Sequence, residues 1–493
     1  MPTTENPLVS PEPATGAAAA AQTAPPVKTD RWYLSAAPIW RALVHLCVPM
    51  AAGISVGAIY NIINAGFIGS LHDTALLAAI TFGLPLIGLT MAVGGVFGVG
   101  GSALISRLLG ASENDPSRAG ELKHVSSFAA WGSVIAGVVV GGIGLLLLGP
   151  VVRLLGADAS TAPATSAYVG VMLAFVPVFA AAFCLEQLVR AQGAARQSMI
   201  GLIASTVANL VLDVAFILVL GWGVAGAALA LGLSNAVSVA YYGWYLQRHG
   251  DGVSLSPRWF TLRASVVKPV FGIGAGELLQ SGFLIVTALV LNNLAIHYGD
   301  APLAAMGVAL RIVQLPELVV MGVSIGVLPL LAYSFGKGDR GRLVGAVKAS
   351  ALAIAAIVLV FSTAVFLLRD QVFGAFSNDS TVIGIGVLIL TAQLVATIVN
   401  GFTNLMTTLF QATGRTVPAL VMSIAQGVLF IPIVLLGNLW FGLDGIIWAM
   451  TVTEGLVFLT GVTLMVLSRR SIARGLAEGS PAKADEALAE SAG

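Results

Sequence analysis

The stretch RAQGAARQSMIGLIASTVANLVLDVAFILVLGWGVAGAALA, residues 190–230, carries the reading of the fold. It runs from a short polar loop into an apolar helix, through a glycine-containing turn, and into a second apolar helix. One acid, Asp213, lies inside the apolar run. A carboxylate at membrane depth is expensive, so it usually faces a bundle interior or a water-filled cavity and has a function. A second block, QATGRTVPALVMSIAQGVLFIPIVLLGNLWFGLDGIIWAM at 411–450, has the same layout. A duplicated polytopic chain with an intramembrane acid reads as a secondary transporter.

Composition agrees. Of 493 residues, 57% are hydrophobic and only 10% charged, where a soluble domain carries roughly 25% charged residues. The net charge of +1 excludes electrostatic nucleic-acid binding as a main role. Cys47 and Cys184 both sit in apolar surroundings, and no histidine spacing suggests a metal site. A disulfide framework is therefore not expected, and neither a metal nor a cofactor is. Residues 1–34 are rich in Pro, Ala, Thr and Ser, which reads as a disordered tail without a signal peptide.

Apolar runs of about 20 residues or more, enough to span a bilayer, fall at 41–69, 75–106, 124–148, 162–188, 199–220, 223–247, 264–296, 302–335, 344–368, 381–410, 418–438 and 443–468. That predicts twelve transmembrane helices. With both termini placed in the cytosol, only Arg153 and Arg369 of the 24 lysines and arginines fall in outer loops, and Arg311 lies within a helix. The positive-inside rule selects that orientation. Residues 75–110 align without gaps on 301–336, pairing Gly100 with Gly326 and Gly110 with Gly336. Gly193 pairs with Gly414 in the two longer blocks. The expected architecture is all-α: two six-helix lobes related by a pseudo-two-fold axis along the membrane normal, with the substrate path between them. The expected boundaries are a tail at 1–40, lobes at 41–250 and 264–470, a linker at 251–263 and a tail at 471–493.

With these residues in place, the chain from about 41 to 468 resembles the multidrug and toxic compound extrusion (MATE) transporters. They belong to a larger group of lipid and oligosaccharide flippases. NIINAGFIGSL (61–71), RAQG (190–193), ANLVLDVAFILVLGWGVAGAALA (208–230), DAPLAAMGVALRI (300–312), FQATGR (410–415) and FGLDGI (441–446) carry the resemblance. It implies a V-shaped central cavity and export of drugs or organic cations, driven by inward H⁺ or Na⁺. The family's N-lobe ion site usually includes an aspartate in the first helix, and Asn64 stands there. The N-x-x-x-D pair of the fifth helix is present as Asn209 and Asp213. A threonine of the sixth helix is replaced by Leu231. The changes tilt the reading towards H⁺, because Na⁺ favours several hard oxygen ligands and leucine offers none.

Asn209 and Asp213 share one helix face at i and i+4. Asp213 lies 17 residues beyond Arg196, roughly 25 Å along a helix at 1.5 Å per residue, so Asn64, Asn209 and Asp213 are expected at similar depth as the ion-coupling site. Burial disfavours the charged form of a carboxylic acid, which suits proton loading and release. Glu277 and Glu317, in the seventh and eighth segments, are candidates for a second proton or substrate site with Gln280 and Arg311. The bland alternative for either acid is a pair with Arg311 or a place near a wet helix end. Glu454 reads equally as a packing acid or a C-lobe group. Glu186 and Arg190 read as a local ion pair, Asp444 as the N-cap of the last helix, and Trp222, Trp440 and Tyr298 as interface anchors.

The leading expectation is an exporter of cationic or amphipathic drugs: multi-pass in the plasma or inner membrane, monomeric, and without nucleic-acid partners. The alternative within the same superfamily is a flippase of lipid-linked precursors. That would call for several deep basic residues, and Arg311 is the only one. An intramembrane enzyme would need a nucleophile–base pair or a metal cluster, and neither H-E-x-x-H nor clustered histidines occur in these helices.

Overall fold

A computed structural model describes residues 29–70, 74–296, 298, 300–369, 371 and 380–479; the side chains of 61–70, 74–79, 300–304, 380–382 and several single positions stand outside that description. The described elements are helical: α1 Asp30–Ser35, α2 Ile39–Ser70, α3 Thr74–Ala111, α4 Ala119–Leu146, α5 Leu148–Leu154, α6 Ala162–Ala191, α7 Ala195–Asp213, α8 Gly223–His249, α9 Ala264–Ile296, α10 Asp300–Gly336, α11 Arg340–Leu367, α12 Ser380–Ala412, α13 Thr416–Phe441 and α14 Leu443–Glu478. Omitting the short α1 and α5 leaves twelve. Eleven of these are long and apolar enough to cross a membrane along their described residues. The twelfth, α9, has 33 residues, where about 20 suffice. This is a multi-pass membrane protein.

The packing repeats. In the first half α3 and α4 pack on α6, α6 and α7 pack on α8, and α2 packs on α7. In the second half α10 and α11 pack on α12, α12 and α13 pack on α14, and α9 packs on α13. The halves meet symmetrically: α2 lies against α10, α9 lies against α3, and α3 crosses α10 on the axis. The matched glycines explain how these helices approach so closely. A Cβ on Gly100 would lie 2.9 Å from the Cα of Val270 in α9, and one on Gly326 would lie 2.8 Å from the Cα of Cys47 in α2. Gly110 packs against the backbone of Tyr333, and Gly336 against that of Arg107. Small residues let helix backbones touch where lipid supplies no hydrophobic drive for association.

The basic end of the bundle is closed by polar contacts. Glu113, after α3, accepts from the Tyr333 hydroxyl, lies 2.5 Å from Lys337 Nζ, and sits 3.7 Å from Arg31 Nε. The segment Asp30–Ser35, expected as part of the tail, is instead the helix α1. Its Leu34 is fully buried, and Arg342 donates to the carbonyls of Tyr33, Leu34 and Ala37 at 2.7–2.8 Å. Those bonds satisfy carbonyls that a helix end otherwise leaves free. Residues 251–263 are stapled to α4: Ser126 and Ser127 donate to the carbonyls of Ser254 and Ser256. Asp444 does not cap the last helix. Gly442, at φ +59°, is the N-cap, and Asp444 sits in the first turn, where its charge still favours the helix N-terminus.

Candidate functional site

Helix α7 ends at Asp213 and passes directly into a π turn at Val214–Val219. The turn is closed by bonds from Leu220 N to Ala215 O and from Trp222 N to Phe216 O, both 2.9 Å. Gly221 and Gly223, at φ +64° and +51°, then reverse the chain into α8. π segments in α-helices recur at functional sites. The acid therefore lies where the regular backbone ladder stops.

Asp213 is 3% exposed and Asn209, one turn earlier, 4%. Tyr60 of α2 reaches both. Its hydroxyl donates to Asn209 Oδ1 and stands 3.1 Å from Asp213 Oδ2. A phenol has one proton to give. With that proton on Asn209, the Asp213 contact becomes a hydrogen bond when the acid is protonated and donates to the phenolic oxygen. With the acid ionised, the phenol proton turns to the carboxylate. Tyr60 can thus follow the protonation state of Asp213 with a rotation of one O–H bond. The Asn209 Nδ2 is buried without a partner among the described residues. Tyr168 of α6, 4% exposed, also lies in the field of Asp213. Leu231 packs against an apolar cluster containing Ile217, Ala227 and Tyr168 and lends no side-chain oxygen. The side chain of Asn64 falls outside the described residues.

Of the four residues expected to form a second site, Glu277 and Gln280 lie three apart on α9 and Arg311 and Glu317 six apart on α10. Glu277, in α9, lies at the interface of the halves: its Cβ is 3.2 Å from where a Cβ on Gly95 of α3 would stand. The polar groups facing it are Gln411 and Arg190. Arg190 is itself held by Glu186 at 2.9 Å, and Ser198 donates to the same Glu186 oxygen at 3.2 Å. Glu317 and Arg311, in α10, and Gln280, in α9, are exposed. Arg311 makes no ion pair among the described residues. Arg311 and Glu317 are six residues apart, which sets them on different faces of α10, while Glu277 and Gln280, three apart, share a face of α9.

Glu454 of α14 emerges as the more enclosed C-lobe acid. It is 1% exposed, accepts from Gln426 Nε2 of α13 at 2.6 Å, and leaves Oε2 without a partner among the described residues. The charge of Glu317 acts on it. No group of three or more His, Cys, Asp or Glu among the described residues could hold a metal ion.

Tyr60 and Tyr168 escaped the sequence reading. Tyr60 had a signal: it precedes Asn64 by four positions in an apolar helix and so shares its face. Tyr168 had none, since only the packing of α6 brings it to α7.

Two repeated six-helix halves enclosing acids at membrane depth define a secondary transporter. A family model described as MatE matches residues 49–215 and 275–436. The chain is 35% identical over 438 residues to the multidrug export protein MepA of Staphylococcus aureus (strain MRSA252), covering 89% of this chain and 96% of that one. It is 36% identical, with the same coverage, to the MepA protein of Staphylococcus saprophyticus. Among solved structures, a MATE P26A mutant superposes with a TM-score of 0.81 at 23% identity, over 91% of this chain and 99% of that one. An outward-facing multidrug resistance MATE transporter does so at 0.80 and 22%, with the same coverage. The chain belongs to the MATE family and is a transporter, not an enzyme.

Proposed function

We propose that this chain exports cationic or amphipathic drugs by antiport against protons, through alternating access of its two lobes, as a monomer in the cell membrane with both termini in the cytosol. The curated relatives are named multidrug export proteins, which supports the substrate class. The observation that carries proton coupling is the trio Tyr60, Asn209 and Asp213, in which one phenol serves a buried acid in either protonation state. Loading the proton removes the cost of a buried charge and frees α2 from a charge-assisted bond. Losing it restores both, so the packing of α2 on α7 responds to protonation.

Sodium is the weaker reading. Asn209 Oδ1 already accepts from Tyr60, and Leu231 replaces a hydroxyl-bearing side chain, which leaves few hard oxygens for the ion. A flippase of lipid-linked precursors is disfavoured because Arg190 is paired with Glu186 and Arg311 is the one base within the predicted spans away from the basic loops. The test is efflux of a cationic dye from proteoliposomes, under a pH gradient alone and then a sodium gradient alone. Efflux that follows pH and is lost in Asp213→Asn is expected. Efflux that follows sodium, or that survives in Asp213→Asn, would overturn the assignment.

A further inference from the structure

At the basic end, away from the acids of the lobes, a cavity of about 760 Å³ lies between α3, the end of α10, the α12–α13 turn and the end of α14. Arg107, Arg118 and Arg415 line it, with Asp115 and Glu478 as the acids. The charges do not cancel. Asp115 is claimed by Arg118 at 3.5 Å and by bonds from Ser117. Glu478 acts on Arg415 without an ion pair within 4 Å among the described residues, while Arg474 repels Arg415. Arg107 has no carboxylate partner among the described residues, and Arg415 repels it directly.

The guanidinium groups also have donors to spare. Arg107 Nε donates to Ala103 O at 3.2 Å, but its Nη2 is buried without a partner among the described residues. Arg415 Nη2 donates to the carbonyl of Ser471, but its Nε is likewise buried and unpartnered among the described residues. Leaving a charged donor unfilled is costly. Asn114 Nδ2 donates to the carbonyls of Lys337 and Gly479, and the Thr413 hydroxyl donates to Leu409 O. Glycine at 414, with φ +69°, makes room for the Arg107 guanidinium, whose central carbon lies 2.8 Å from where a Cβ would be. Arg107 is half-buried and lines the cavity.

Two like charges with donors unfilled among the described residues, beside a cavity, favour an anion with several acceptor oxygens. We propose that this cavity binds a phosphate group, with Arg107 and Arg415 as its paired donors. Forked guanidinium groups match phosphate oxygens in geometry as well as charge. The phosphate belongs either to an anionic lipid headgroup or to a soluble phosphate. Because α3 comes from one half and α10, α12 and α14 from the other, the occupant bridges the lobes in this closed arrangement of the basic end. Binding therefore favours that arrangement over any in which the lobes part here.

The test uses the full chain. In detergent, the thermal midpoint is titrated with pyrophosphate against sodium chloride of equal ionic strength. In nanodiscs, phosphatidylglycerol is compared with phosphatidylcholine. Saturable stabilisation by pyrophosphate identifies a soluble phosphate, and stabilisation by phosphatidylglycerol alone identifies a headgroup. In either case apparent affinity falls at least about tenfold in Arg107→Gln and Arg415→Gln, and less in Arg107→Lys. If the wild type gains no more from either phosphate source than from its control, the proposal fails, whatever the variants do. Wild-type affinity in a folded Arg415→Gln would also overturn it.

Discussion

The two lobes repeat one another in helix packing and differ in chemistry at equivalent places. Pairing Gly193 with Gly414 sets Asn209 and Asp213 opposite Phe430 and Val434. The first pair is polar and buried, bonded to Tyr60. The second is equally buried, at 2% and 0% exposure, but lies in an apolar cluster with Ile446 and Ala449. The most buried described acid of the C-lobe by exposure is elsewhere, at Glu454 in α14. Its bonding partner there also differs. The Gln426 amide nitrogen only donates, so it serves the ionised carboxylate well and offers a protonated one no acceptor. The Tyr60 hydroxyl both donates and accepts. Helix packing tolerates a change of side chain where volume and partners allow, so duplication can keep the scaffold while buried acids take different places in the two halves.

The largest effect is expected from forcing the two lobes to match. Val434→Asp buries an acid with no partner in the C-lobe cluster. It should cost about 3 kcal/mol or more, seen as a large fall in thermal midpoint and in yield of monodisperse protein. A variant as stable as the wild type would show that the C-lobe position already tolerates an acid. Next is the contrast between the two native acids. Asp213→Asn should lower pH-driven dye efflux on the order of a hundredfold, with Glu454→Gln within about threefold of wild type. A reversal of that order would move the coupling to the C-lobe.

Tyr60→Phe keeps the ring and removes the hydroxyl that distinguishes the two sites. Efflux should fall about tenfold, equivalent to about 1.4 kcal/mol for one lost bond to a charged group. Wild-type rates in Tyr60→Phe would leave the Asp213 site no better equipped than that of Glu454. The smallest effect is at the basic end, where both lobes contribute to one cluster. Burial of Glu113 opposes its charge, but the bonds from Lys337 and Tyr333 and the charges of Lys337 and Arg31 outweigh it and hold the carboxyl below the usual range. A depressed value in the folded protein means that the stabilisation is present above the ordinary glutamate range and is lost as pH falls through the lowered value. Glu113→Gln should therefore lose about 1 kcal/mol at neutral pH, and the two midpoints should converge in strong acid. A gap that persists there would assign the effect to packing instead of charge.

Much of the architecture was legible because its causes are local. Apolar runs longer than a bilayer, basic loops on one side and glycines repeating at a fixed offset each follow from a few neighbouring residues. The i, i+4 spacing of Asn209 and Asp213 marked them as one face before any packing was known. The expected grouping of Glu277, Glu317, Gln280 and Arg311 rested on neighbouring segments, and neighbouring segments do not fix which helices pack: α9 meets α3 and α13 while much of α10 meets α12. The helix at Asp30–Ser35 was hidden because its carbonyls are satisfied by Arg342, more than three hundred residues later.

Hydropathy, charge asymmetry and internal repetition therefore settled that this chain crosses the membrane twelve times in two related halves, and that Asp213 is an acid needing a reason. Each is a sum over adjacent residues, and the bilayer imposes the same demand on every span. The phenol that serves Asp213, the enclosure of Glu454 by Gln426, and the unfilled donors of Arg107 and Arg415 came from the folded molecule alone. They depend on which helix face meets which. That choice is made by close packing between residues far apart in the chain, where glycine contacts and single hydrogen bonds select among arrangements that hydrophobicity cannot distinguish.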